Sequence, residues 1–318
     1  MVGGIARHVA GLAPGLAAQG WQVTVVTQSP EERRWRAEEE GVTVIRTLAE
    51  GPRPRDFLES IHLLNYALTQ EALAAHQGQP LDLIHAHDWL VFFAARTLKH
   101  ALRLPLVATI HATERGRNRG IHDAVQAFID GTEWHLCYEA WRVICCSEAM
   151  RAEIREFFAC PEDKLRVIPN GISLEEELPA APEPEVRQRL GLGSDRVVLF
   201  VGRLVWEKGL DPLIRAMAEV ARGAPQARLV IVGGGEQGPW RALAEECGAS
   251  AHVTFAGFVD EATLRALQRM AQVAVVPSLY EPFGIVALEA MANAIPVVAS
   301  EVGGLSEVMR QCEGGLLV

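Results

Sequence analysis

Short β-branched runs alternate with longer stretches of helical period along nearly the whole chain. In the first half, Trp21 to Thr27, Val42 to Ile45, Leu81 to His85, Leu104 to Ile110, Arg142 to Cys146 and Arg166 to Ile168 predict strands. Gly3-Gly4 opens a helix that ends before Gly20. Pro54 to His76 predicts a long amphipathic helix, with Phe57, Ile61, Leu64, Leu68 and Leu73 near helical spacing. Helices are also expected after His87, from Ile121 to Ala140 and from Ser147. In the second half, Val197 to Val201, Arg228 to Val232, His252 to Ala256, Val273 to Val276 and Ile295 to Ala299 predict strands. Runs this short and apolar suit parallel strands buried on both faces. Between the halves, Ser173 to Asp195 holds acidic residues and Pro179, Pro182 and Pro184 with poor periodicity. The expectation is an α/β chain of two Rossmann-like domains facing a cleft, residues 1–174 and 196–318, joined by a linker over 175–195. A doubly wound domain normally places a strand before a glycine turn such as Gly3-Gly4. The chain also ends at Gly314-Gly315-Leu316-Leu317-Val318, a strand pattern with no helix after it. Both ends therefore predict a fragment, lacking a first strand and closing C-terminal helices.

Composition narrows the function. A net charge of −10 argues against nucleic acid as a partner. No apolar run approaches the ~20 residues of a membrane span, and no secretory leader is expected. Cys137, Cys145, Cys146, Cys160, Cys247 and Cys312 show no CxxC or zinc spacing. They read as reduced thiols of a cytoplasmic protein. Only three lysines occur, Lys99, Lys164 and Lys208, so a lysine inside a glycine-flanked turn stands out.

Candidate chemistry concentrates at strand ends. Val275 to Ser300 reads as strand, turn, helix, strand, with Glu281-Pro282-Phe283-Gly284 as the turn. A helix starting near Gly284 points its free N–H groups back at that turn and can hold an anion. Glu281 precedes that end, and Glu289 lies eight positions later among apolar neighbours. A buried carboxylate there needs a partner. A phosphate on the helix end between two carboxylates that accept sugar hydroxyls would make a nucleotide-sugar site. Arg203 and Lys208 leave the first strand of the second half within Gly202-Arg203-Leu204-Val205-Trp206-Glu207-Lys208-Gly209 and can converge on one diphosphate. Two solvated surface cations are the plainer alternative. Gly233-Gly234-Gly235 ends the next strand as a tight turn. Gly3-Gly4 has the physics of a phosphate loop. His111 ends the strand Leu104 to Ile110, before a loop rich in arginine and glycine. Asp88 either meets substrate hydroxyls or caps a helix, and Trp89 offers a ring face for a sugar. No metal spacing and no Asp-x-Asp is visible, so no metal is expected.

The stretch Glu281-Pro-Phe-Gly-x4-Glu289-Ala resembles the donor-site motif of retaining glycosyltransferases of the GT-B fold, family 4, a group that includes glycogen and starch synthase-like enzymes. The resemblance covers nearly the whole chain. It implies an acceptor-side first domain and a second domain binding a nucleotide diphosphate sugar (ADP-, UDP- or GDP-linked), with no cofactor besides that donor. It implies that Glu281 lies by the donor sugar and that Glu289 binds the ribose hydroxyls. It also implies that Phe283, Gly284, Ile285 and Val286 line the donor, that Arg203 and Lys208 bind the diphosphate, and that Gly3 and Gly4 reach it from the first domain. His111 would contact the donor sugar. Asp88 and Trp89 resemble a His-Asp-Trp signature of the glycogen synthase-like branch and would suit a glucan acceptor. Asn170-Gly171-Ile172-Ser173 departs from the family's Asn-Gly-Val-Asp. The implied activity is transfer of a hexose, glucose foremost, to a sugar hydroxyl. A nucleotide-sugar epimerase of the same fold, a phosphorylase and a non-catalytic nucleotide-sugar-binding module are the rivals.

Overall fold

A computed structural model describes residues 4–31, 33–49, 53–172 and 180–318. The chain divides into two units, Met1–Gly171 and Ile172–Val318.

The first unit carries two sheets. In one, β1 (Val23–Gln28), β2 (Trp35–Glu39) and β3 (Val42–Thr47) lie in the order β1-β3-β2. β1 pairs parallel to β3 and β2 pairs antiparallel. In the other, β4 (Ile84–His87), β5 (Leu106–Ile110), β6 (Arg142–Cys145) and β7 (Leu165–Val167) run parallel in chain order. The helices are α1 (Gly4–Ala18), α2 (Phe57–Gly78), α3 (Phe92–Leu102), α4 (Glu114–Asn118), α5 (Ala124–Glu139) and α6 (Glu148–Phe158). Asp56, Thr113, Asp123 and Ser147 each cap a helix by accepting a main-chain N–H three residues on. The C-terminal end of α5 is closed by lysines. Lys99 Nζ donates to the Glu139 carbonyl and carboxylate (2.8 and 2.6 Å), and Lys164 Nζ to the carbonyls of Cys137 and Tyr138 (2.8 Å each). Cations belong there, because the last carbonyls lack helical partners and carry the negative end of the dipole.

The second unit is one parallel six-stranded sheet. β8 (Arg196–Val201), β9 (Ala227–Val232), β10 (Val253–Gly257), β11 (Ala271–Val276), β12 (Val297–Ala299) and β13 (Gly315–Leu317) lie in the order β10-β9-β8-β11-β12-β13. The order reverses direction between β8 and β11, the switch point of a doubly wound sheet. Its helices are α7 (Glu183–Leu190), α8 (Leu210–Gly223), α9 (Gly238–Glu246), α10 (Glu261–Met270), α11 (Ile285–Ala292) and α12 (Gly303–Arg310). Alternation along β9 builds the two faces. Leu229 and Ile231 pack with Leu210, Ile214 and Met217 of α8. Val230 and Val232 pack on the other side with Val186 of α7 and Leu264 and Leu267 of α10.

Two elements differ from the sequence pattern. β2 was not expected, because Trp35-Arg36-Ala37-Glu38-Glu39 is charged; it survives as an edge strand, where charge is tolerated. α7 falls inside the stretch expected as linker. Its prolines sit at the helix start, where a missing N–H costs nothing, and Val186 buries against the second sheet.

The loop after β8 and the loop after β11 touch backbone to backbone. Gly209 has φ of 69°, and a Cβ there would lie 1.8 Å from the Pro277 carbonyl oxygen. Gly191 has a similar φ of 63° at the end of α7, with open space around it. Gly191→Ala should therefore cost only the left-handed backbone term, about 1 kcal/mol. Gly209→Ala adds a clash that only loop displacement can relieve, and should cost roughly 3 kcal/mol or more. Denaturant unfolding of the two variants measures the difference; equal losses would mean that the loops are not held together at Gly209.

Candidate active site

In the second unit the polar residues gather at the C-terminal ends of β8, β9, β11 and β12, where open α/β sheets take ligands. The loops are tied by main-chain bonds. Leu204 N donates to Gly234 O (2.9 Å), Leu279 N to Glu207 O (2.8 Å) and Gly304 N to Glu281 O (3.1 Å). Lys208 Nζ donates to Glu281 Oε2 at 2.7 Å, and Ser278 Oγ donates to the same oxygen at 3.0 Å. Arg203 reaches the buried Glu207 carboxylate at 2.9 Å, while its own side chain stays more than half exposed. The two cations leave one turn as the sequence suggests, but each rests on its own carboxylate.

α11 begins beside this pair. Gly284 precedes it at φ 99°, buried, and a Cβ there would meet Leu305 Cδ1 at 2.7 Å. The first intrahelical bond runs from Ala287 N to Gly284 O, so the amides of Ile285 and Val286 lie ahead of the ladder. Phe283 is buried, and Ile285 and Val286 are half-buried. Glu289 is half-buried on the same helix, and its carbonyl accepts from Asn293 Nδ2 at 2.8 Å. Two cations, a helix N-terminus and two carboxylates at one sheet end can hold a polyanion with hydroxyl groups beside it.

The first unit holds a second polar cluster. Gly3 lies outside the described residues, and Gly4 opens α1. One turn on, His8 meets His87 and His111, with ring centroids 5.4 and 4.9 Å away. His87 Nδ1 and His111 Nε2 are 3.1 Å apart. His85 lies tilted against His87, with ring centroids 4.2 Å apart, and hydrogen-bonds Thr109 Oγ1 at 2.7 Å. Of these four rings only His111 was singled out from the sequence. The signal for two others was the i, i+2 spacing of His85 and His87, which puts both on one face of β4.

Asp88 joins the strands. Its carboxylate accepts from His111 N at 2.6 Å, and its own N–H donates to Thr109 O at 2.9 Å. It is 6% exposed, at φ 61° and ψ 175°. That region is essentially reserved for glycine, costs about 1–3 kcal/mol and clusters at functional sites. The helix-cap alternative for Asp88 does not hold: the carboxylate makes no helix-cap bond and instead fixes the His111 backbone. The sugar-facing role expected of Trp89 is likewise corrected. Its ring is 7% exposed and packs with Ile61 and Ile129 in the core. In the arginine-rich loop after β5, Arg115 forks onto Asp130 (3.0 and 2.6 Å) and Arg117 lies 3.6 Å from Glu114.

Burial sets the electrostatics. Desolvation brings His85 down to about 4, His87 to about 2 and His111 to about 3, with neighbouring rings adding to it. His8 is lowered for the same reason. Desolvation pushes Asp88 up to about 7, against the bond from His111 N. Glu133, which accepts twice from Glu114 N (3.1 and 3.0 Å), is pushed up to about 9 by burial.

Residues 2–176 match Glycosyltransferase Family 4, and residues 182–318 match Glycosyl transferases group 1. This chain is a family 4 glycosyltransferase of the GT-B fold. This glycosyltransferase is 38% identical to an uncharacterized glycosyltransferase of Methanocaldococcus jannaschii, over 100% of this chain and 82% of the relative. It is 34% identical to the glycogen synthase of Mycobacterium tuberculosis, over 99% and 78%. Among solved structures it resembles sucrose-phosphate synthase of Thermosynechococcus elongatus, with a TM-score of 0.81 and 31% identity over 100% and 80%. Among the described residues of this glycosyltransferase, no helix is long and apolar enough to cross a membrane.

The buried cluster fixes a pH dependence. A histidine whose folded pKa is depressed stays neutral while the unfolded chain takes up a proton, so stability is lost as pH falls below about 6.5. Asp88 and Glu133 work in the opposite sense: they keep protons that the unfolded chain releases, so each costs stability as pH rises above about 4. At pH near 5.5 three strongly depressed histidines outweigh two raised carboxyls, for a net uptake of about one proton on unfolding. Stability should therefore rise with pH between about 5 and 6. His87→Leu should remove about one proton of uptake and flatten that slope. Urea midpoints across this range measure it, and an unchanged slope in the variant would mean that His87 is already charged in the fold.

Proposed function

We propose that this glycosyltransferase is retaining and moves a hexose, glucose in our reading, from a nucleoside diphosphate donor to a sugar hydroxyl, with a glucan as the leading acceptor class. The observation that carries the reading is the Lys208–Glu281 pair beside the N-terminus of α11 at the sheet's switch point. The diphosphate would lie on the amides of Ile285 and Val286, with Arg203 and Lys208 as its counter-ions. Arg203 supplies forked donors and Lys208 a compact charge. Glu289 would accept the ribose hydroxyls. Glu281 would stand by the hexose, and His111 would contact the same sugar. Negative charge grows on the leaving diphosphate as the glycosidic bond breaks, and preorganised cations that meet it there lower the barrier. The acceptor hydroxyl attacks from the face the diphosphate leaves and passes its proton to it. Two cations and a helix end supply the neutralisation, so no metal is required at the diphosphate, and ADP-, UDP- or GDP-linked sugar is the only small molecule needed. The M. tuberculosis relative, named for glycogen synthesis, supports the glucan reading. The composition suits a cytoplasmic enzyme.

Donor panels with glucan acceptors test the activity, and product analysis separates transfer from epimerisation or simple binding. Lys208→Ala and Arg203→Ala should each lower kcat/KM about ten- to a hundredfold or more, since a charge-assisted contact contributes about 1.5–3 kcal/mol. Near-normal rates in both would remove the diphosphate assignment.

Two further measurements divide the roles. Calorimetry with the free nucleoside diphosphate should show weakened binding to Glu289→Ala and nearly intact binding to Glu281→Ala; equal losses would merge the two assignments. Transfer should also persist in excess chelator, and complete loss restored by Mg²⁺ would overturn the metal-free reading.

A further inference from the structure

The geometry points to a zinc site in the first unit, formed by His8 of α1, His87 of β4 and His111 after β5. One ring nitrogen from each residue lies within 4.8 Å of the others. Tetrahedral zinc with Zn–N bonds of about 2.0–2.1 Å places its ligand nitrogens roughly 3.3–3.4 Å apart. His87 Nδ1 and His111 Nε2, at 3.1 Å, already stand close to that separation. A modest rotation of the half-buried His8 ring would bring in the third nitrogen. Imidazole is the ligand shared by zinc and its transition-metal neighbours, whereas magnesium and calcium favour oxygen. Three protein ligands leave a fourth position for water or another small ligand, the pattern of an open zinc site. All three residues are half-buried.

A second layer fixes these rings, as metal-binding histidines require. The side chain of Asn170 hydrogen-bonds His8. Asp88 clamps the His111 main chain from its strained position. His85 lies tilted against His87 and is itself held by Thr109. No cysteine belongs to the group, so the site is nitrogen-only. On the transferase reading, an ion here would hold the His111 ring and oppose turnover rather than support it. Metal binding itself does not rest on that reading.

The test uses the full chain, stripped of metal and free of donor and acceptor, so its outcome is independent of the transferase assignment. Titration with Co²⁺ should give one equivalent bound, with visible bands of a four-coordinate nitrogen site and no thiolate charge-transfer band. Zn²⁺ should displace it. His8→Ala should weaken binding at least about tenfold, since even outer-layer partners are worth ten- to a hundredfold, and Asn170→Ala should weaken it less. NMR of the histidine rings in the unaltered chain guards against a folding defect in the variants: Zn²⁺ should move the signals of His8, His87 and His111 and leave His252, in the other unit, in place. Absence of binding at micromolar metal, a thiolate band, unmoved signals for these three rings or undiminished binding by His8→Ala would each overturn the proposal.

Discussion

The second unit depends on one close approach. The turn ending at Gly209 lies against the carbonyl of Pro277 at a distance that admits no side chain. β8 and β11 are neighbours in the sheet, so the loops leaving them start side by side. The glycine lets them meet backbone to backbone, and the Glu207 carbonyl then collects the amide of Leu279. Only with the loops so joined does Lys208 reach Glu281, and only then does α11 begin beside both. A side chain at the crossing would separate a cation from its carboxylate without touching either. The chemistry of this unit is therefore set by main-chain geometry, and the charged groups are its passengers.

The first unit solves a different problem. It buries four imidazoles and a carboxyl where water cannot reach most of their surface. Such groups stay neutral, because an isolated charge in low dielectric costs more than the proton. Asp88 carries a second burden in its backbone, held in a region that few side chains adopt. Parallel pairing of β4 with β5 maintains both, since Asp88 N is bonded to Thr109 O at the sheet end and His111 N returns to the Asp88 carboxylate. Local strain and burial are stabilised here by the sheet that surrounds them.

Much of this was legible in the chain. Buried parallel strands declare themselves by apolar runs, and all eleven predicted strands start within about three residues of the observed ones. The Glu-Pro-Phe-Gly turn and the Gly-Arg-to-Lys-Gly turn do end neighbouring strands. β2 was hidden because an edge strand need not be apolar, and α7 because proline at a helix start mimics a linker. What could not be read were relations between distant segments: that Lys208 rests on Glu281, that Trp89 faces inward, and that His8 joins His87 and His111. Each depends on strand order and helix rotation, which no local spacing encodes.

The three lysines have a consequence in chemical reactivity. Lys99 and Lys164 are both bound to the end of α5, and Lys208 is bound to Glu281. Arginine carries the rest of the positive charge, and its guanidinium does not acylate under conditions that modify amines. Every side-chain amine is thus engaged, two in holding a helix end and one at the candidate active site. An amine-directed reagent would find almost no neutral background on this chain: whatever it modifies on a side chain either loosens α5 or alters the donor end of the sheet, so chemical acylation would read out structure and chemistry with little else in between.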